Sequence, residues 1–225
     1  MKDVNINIDN PDDLINEEKS TVEDIEVSEF NPECERLELK EDLDEKTISY
    51  IEREIRTSYE YKKYLNYLKT ELDLTKCSLL PNIDCSDGAA SLEFHHYPIN
   101  LFEITEIVGT QMIETLGEHD KISCFDIAER VMEEHYKGNV GLVPLTKTLH
   151  EMAHNRSIIV PITKVNGNYK AFLKKYDSYI PTEIKDRITD AETTSISDDA
   201  IAYNNSKLEK NIVKYNITYL STDEE

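Results

Sequence analysis

Of the 6 histidines in this 225-residue chain, four fall into two tight groups. His95 and His96 are adjacent, and His150 and His154 stand four apart. A neutral imidazole near pH 7 serves both as a divalent-metal ligand and as a proton acceptor. On a helix, residues four apart project from one face, one turn above the other. That spacing is the usual way a helix offers a metal two nitrogen ligands. On a strand, neighbours point to opposite faces, so His95 and His96 cannot share a role while the strand stays regular.

The stretch 141–154 reads as a short apolar strand, a turn marked by Pro144, and a helix beginning near Thr146. His95 and His96 end a second strand, 91–98, which Pro98 stops. The turn signal Ser86-Asp87-Gly88 pairs this strand in a hairpin with 76–81. Upstream, Ile48, Ile51, Ile55, Tyr59, Leu65, Leu68 and Leu72 recur at spacings of three and four, predicting one long amphipathic helix over about 46–73. Its polar face carries Arg53, Arg56, Lys62, Lys63 and Lys69 between Tyr61, Tyr64 and Tyr67, a pattern open to phosphate contact or to plain solvation. Between the histidine groups lie two helices. One opens on Asn100 and Glu103 and runs to Leu116; the other opens on Ser123 and Asp126 and runs to Tyr136, where Gly138-Asn139 ends it. Downstream, 157–162 reads as a strand, Asn166-Gly167-Asn168 as a turn and 169–179 as a helix. The polar stretch 190–199 reads as a linker, and 207–220 as a last helix or strand. His119 and His135 read as structural.

The net charge of −21 is concentrated at the start, with about −12 of it in the first 46 residues. Such a field repels a free phosphodiester at long range, so a nucleic-acid role requires a local basic patch or a metal. The acidic residues 1–45 read as a flexible arm that keeps the chain soluble or engages a basic protein partner. Cys34, Cys77, Cys85 and Cys124 form no C-x-x-C pair, and Cys77 and Cys85 read as a reduced pair. No apolar run approaches the ~18 residues of a membrane span, and the first residues carry no signal-peptide pattern. A cytoplasmic location and no membrane partner are expected.

Two families fit the histidines. His150-Glu151-Met152-Ala153-His154 matches the H-E-x-x-H pattern of zinc peptidases, in which the glutamate activates a metal-bound water. No histidine follows, so Glu183, Asp186 or Asp190 would have to complete that site. The wider context resembles the HNH, or His-Me finger, nuclease superfamily. A strand ending in His95-His96, then Gly-Leu-Val-Pro-Leu-Thr-Lys-Thr-Leu-His-Glu-Met-Ala-His, is similar to its ββα-metal motif. The resemblance spans 77–154, with 100–137 as a helical insertion.

This resemblance implies that His95, His150 and His154 ligate one divalent ion (Mg, Mn or Zn) and that His96 is the general base. DNA would then be the substrate, with Arg53, Arg56, Lys62, Lys63 and Lys147 as candidate phosphate contacts. Gly141 departs from the pattern by replacing an asparagine that braces the loop of the base. The expected architecture is α+β: an HNH-like domain over 46–185, with core motif 77–99 and 139–155, a long N-terminal helix, and a poorly ordered tail over 186–225. The expected function is a metal-dependent endonuclease. An inactive HNH-like binding protein and the zinc peptidase stand as alternatives. The composition and small size suit a phage-encoded member acting in the host cytoplasm.

Overall fold

The computed structural model describes residues 43–80, 91–116 and 122–208. The acidic arm up to residue 42, the Ser86-Asp87-Gly88 turn, His119, Cys34, Cys85 and the end of the tail lie outside the described residues. The chain divides after Pro32, and everything described belongs to the second unit.

Ile48, Ile51 and Ile55 bury one stripe of helix α1 (Glu45–Thr57), which is capped by the Asp44 side chain on the Thr47 N–H. The single long helix expected over 46–73 is two helices. Ser58 takes an extended conformation, ends α1 and caps α2 (Tyr59–Thr70) by accepting from the Tyr61 N–H. Its hydroxyl also donates to the Ile55 carbonyl, so it satisfies groups at both helix ends. The break shifts the buried stripe. Tyr61, Tyr64 and Leu68 face the core, whereas Tyr59, expected on the apolar face, is 79% exposed.

The strand carrying His95 and His96 is β1 (Leu92–His96), and it does not pair with 76–81. Its partner is β2 (Leu142–Thr146), antiparallel, with His95 opposite Val143 and His96 opposite Leu142. Residues 76–81 form no described strand; the Ser78 N–H bonds to the Pro144 carbonyl on the far edge of β2. Short-range turn chemistry favoured the local hairpin. The apolar β2 instead buries every residue, pairing with β1 and bonding Ser78 and Asn166 through its remaining backbone groups.

Between the strands, α3 (Leu101–Glu114) and α4 (Cys124–Tyr136) form as expected, each opened by a full capping box, Asn100/Glu103 and Ser123/Asp126. They pack with α1 and α2 around Ile51, Ile55, Leu101, Ile107, Ile127 and Val131. Gly138, at φ 69, supplies the left-handed residue after α4, and the Asn139 N–H closes back on Glu134. A second cluster, Cys77, Leu80, Val143, Leu145, Leu149, Ile158 and Val160, lies under helix α5 (Lys147–His154). Cys77 is a buried free thiol, and Cys124 is disulfide-bonded.

The region expected to be a linker and disordered tail is largely helical as far as residue 208. Segment 157–162 has no ladder partner and ends in a short 3-10 turn, Ile162–Lys164; α6 (Tyr169–Lys175) and α7 (Thr182–Thr194) follow, and 198–208 is helical. Arg187 on α7 forks onto both carboxylate oxygens of Glu103, each at 2.7 Å. Farther on, Ser195 accepts from the Ile162 N–H, and Asn204 bonds both backbone groups of Ile159. Ser195 and Asn204, in a region that reads as linker and tail, satisfy backbone groups of Ile159 and Ile162, which join no described strand.

Among the described residues no helix is long and apolar enough to cross a membrane. The architecture is mixed α+β: helix-rich, with one two-stranded antiparallel sheet.

Candidate functional site

Helix α5 starts directly at the end of β2, with Thr146 closing the strand and capping the helix through its hydroxyl on the Leu149 N–H. Leu149 is buried, and Met152 and Ala153 pack against the same cluster. That anchoring leaves His150 and His154 on the opposite side of the helix, over the face of β1 that carries His95. One ring nitrogen from each of His95, His150 and His154 falls within 4.8 Å of the others. Their rings meet edge to face, with centroids 4.5–5.2 Å apart.

The protonation pattern follows from the partners. His150 Nδ1 lies 2.5 Å from a Glu93 carboxylate oxygen, which only accepts, so Nδ1 carries hydrogen and Nε2 is the nitrogen left to ligate. His150 Nε2 is 3.1 Å from His154 Nε2. His95 Nδ1 is buried with no hydrogen-bond partner, alone among the described side-chain atoms in that state. Burial pushes His95 down to about 4, and the neighbouring His150 and His154 push in the same direction. His154 is lowered too, first by burial and then by His150.

An orphaned ring nitrogen beside two more, one already oriented by a carboxylate, fits a divalent metal with N ligands. The Glu93–His150 contact has the form of the carboxylate–histidine pairs that orient metal ligands. Replacing Glu93 by Gln should weaken Zn²⁺ or Mn²⁺ binding roughly 10–100-fold. Titration calorimetry on the full chain checks this, and unchanged affinity excludes the orienting role.

His96 is not in this cluster. Strand alternation turns it to the other side of the sheet, where it is 6% exposed. There its Nε2 sits 3.1 Å from Nε2 of His135. Tyr61 stacks on His96, and Tyr61 and Tyr64 meet His135 edge-on. The α2 tyrosines that interleave with basic residues in the sequence thus line a buried histidine pair. Nothing in the spacing from residue 96 to 135 announced that pair.

The five basic candidates are spread out. Arg53 lies over the Tyr50 ring and beside Glu54, and Lys63 stands 4.0 Å from Glu60. Lys62 and Lys147 are exposed. Arg56 hydrogen-bonds Glu52, and of the five its charge alone is felt at His95, His96, His135 and His154, lowering all four. Glu151 is exposed and, like Glu183, Asp186 and Asp190, is outside the three-nitrogen group.

Gly141, the departure from the nuclease pattern, has a steric cause. A Cβ there would collide with the Tyr97 carbonyl oxygen and crowd Val165, because the Tyr97 N–H bonds to the Gly141 carbonyl. Asn139 does not take over the missing brace; its amide is spent on Glu134, a buried carboxylate that also holds Lys175. Gly141→Asn should therefore lower stability by about 1–3 kcal/mol through overpacking and restore nothing. A urea midpoint equal to the wild type would contradict the close approach.

Fold and site define a mixed α+β protein whose described histidines build one three-nitrogen cluster and one buried pair. The chain belongs to the bacteriophage G278-like virion protein family, whose model matches residues 1–222. No curated protein and no solved structure matches it.

Proposed function

We propose that this phage protein is a metal-dependent endonuclease of the His-Me finger kind, acting on DNA and carried with the virion. The observation that carries this is the convergence of His95 from β1 with His150 and His154 from α5. β1 pairs antiparallel with β2, and α5 follows β2 directly, with α3 and α4 between the strands in sequence, an order that supports the ββα reading. The family's virion description favours the phage particle over the host cytoplasm as the place of residence.

In this scheme His95, His150 and His154 hold one divalent ion, with Glu93 fixing the ring of His150. When bound, the ion supplies Lewis acidity toward a phosphate oxygen and the departing alkoxide. His96, which the resemblance makes the general base, lies buried beside His135 on the opposite face of the sheet and would have to turn toward the ion to take the proton from the attacking water. Arg56, whose charge reaches both histidine groups, draws the phosphate toward them. The acidic arm repels DNA, so this local cation and the ion carry the attraction against a net charge of −21.

Supercoiled plasmid, incubated with the full chain and Mg²⁺, Mn²⁺ or Zn²⁺, should be nicked in an EDTA-sensitive way. His96→Ala should abolish nicking while leaving metal affinity nearly unchanged, and unaltered nicking sinks the assignment of the base. Glu151→Gln should leave nicking intact. A Glu151-dependent cleavage of denatured protein without nicking supports the peptidase instead. Wild-type protein that cleaves neither polymer with any of these metals overturns both enzymatic functions in favour of a binding protein.

A further inference from the structure

The cluster on β1 and α5 offers nitrogen alone. Among the described residues, the side-chain atoms of His95, His150 and His154 converge closely enough to share one ion, and no carboxylate joins them. Glu93 comes near, but its oxygen is spent on His150 Nδ1, and it stands outside the converging atoms. Glu151, on the same helix as two of the histidines, is exposed and stands outside them as well. Arg56 adds a positive charge that is felt at His95 and at His154.

Donor type decides which ion such a set can hold. Mg²⁺ is a hard cation, bound through carboxylates and reluctant to give up its waters. Here it would meet one carboxylate, already hydrogen-bonded, and an opposing guanidinium. Imidazole suits Zn²⁺, Ni²⁺ and Cu²⁺, and affinity at a nitrogen site climbs along the first row from Mn²⁺. Three protein nitrogens are also the complement of a zinc site that keeps a further position for water or substrate. We propose that the three-histidine site is selective for Zn²⁺ and the other late first-row divalent ions, and that Mg²⁺ does not occupy it. Glu93 serves this selectivity from outside: it directs Nε2 of His150 inward without adding an oxygen to the set. His95 Nδ1, buried and without a hydrogen-bond partner, fits an ion bonded directly through nitrogen. The inference rests on the metal site of the nuclease proposed above, though not on cleavage itself.

The test compares ions on the full chain after treatment with EDTA and buffer exchange. In calorimetric titration Zn²⁺ should bind at least about 100-fold more tightly than Mn²⁺. Zn²⁺ should raise the thermal unfolding midpoint, and millimolar Mg²⁺ should neither raise it nor displace bound Zn²⁺. Mn²⁺ or Mg²⁺ held as tightly as Zn²⁺ overturns the proposal, and so does a chain that does not bind Zn²⁺. His154→Asp exchanges one nitrogen donor for oxygen at the exposed end of α5, away from the core, and unfolding in EDTA reads its fold. It should narrow the ratio of Zn²⁺ to Mn²⁺ affinity by about tenfold or more; an unchanged ratio in the folded variant overturns the donor-type origin. A zinc-selective wild type that does not nick DNA removes the nuclease function and leaves the selectivity standing. Nicking sustained by Mg²⁺ that binds as tightly as Zn²⁺ does the reverse.

Discussion

Replacing His95 by Ala should abolish tight metal binding while leaving the metal-free fold as stable as before, or slightly more stable. The two halves of this result come from one side chain. His95 Nδ1 is buried without a partner, and a desolvated polar atom left unpaired costs about 1–3 kcal/mol. A histidine kept only for packing would not retain that penalty, and its truncation would destabilise. As one of three protein ligands, it carries a large share of the affinity. A structural zinc site spreads roughly 10–16 kcal/mol over four ligands, so losing one should weaken binding by about 100–1000-fold. Calorimetric titration with Zn²⁺ or Mn²⁺ reads the affinity, and thermal unfolding in EDTA reads the fold. A variant that unfolds several degrees lower yet binds metal normally would mark His95 as a packing residue and dissolve the site. His150→Ala should behave differently, because it also strips Glu93 of its partner.

The second large effect concerns acid. His135, 1% exposed, is held down to about 4 by burial, against an ordinary value of 6.5. His96 is displaced in the same direction, first by burial and then by His135. A group that resists protonation in the folded state but not in the unfolded one costs nothing above pH 6.5. As pH falls below 6.5 the unfolded chain binds the extra proton, and stability drops until the folded value near 4 is reached. For His135 the loss by pH 4.5 is about 2–3 kcal/mol, and His96 adds to it. The metal-free His95, also near 4, acts with the same sign. The carboxylates lowered by their partners, among them Glu134 and Glu192, act mainly at stronger acid, whereas Glu106, raised by burial, binds its proton more readily folded than unfolded and offsets part of the loss. Urea midpoints at pH 7.5 and 4.5 therefore read chiefly the histidines. A midpoint that holds steady between these values would show that the pair is not buried in neutral form.

The helices α3 and α4 were legible down to their first residues, because a capping box is a local exchange of hydrogen bonds written within four positions. The four-residue spacing of His150 and His154 placed both on one face of α5 for the same reason: helix geometry reaches no farther than a turn. Two errors mark the limit of such local rules. The unbroken periodicity of 46–73 concealed Ser58, which serves both helix ends at once and shifts the buried stripe onto Tyr61 and Tyr64. The Ser-Asp-Gly signal after residue 85 suggested a hairpin partner nearby, whereas β1 crosses the whole helical insertion to reach β2.

Residue types and short spacings were enough to name the metal-ligating candidates His95, His150 and His154, and to set His96 apart from its neighbour by strand alternation alone. They could not bring Glu93 to His150 or His135 to His96. Those contacts join residues 57 and 39 positions apart, and no local conformational preference acts over such a distance. They exist because β2 pairs with β1 and because α4 packs with α2 across the helical core. Pairing and packing of that kind depend on which apolar faces the whole chain can bury together, a property of the assembled fold and not of any one stretch.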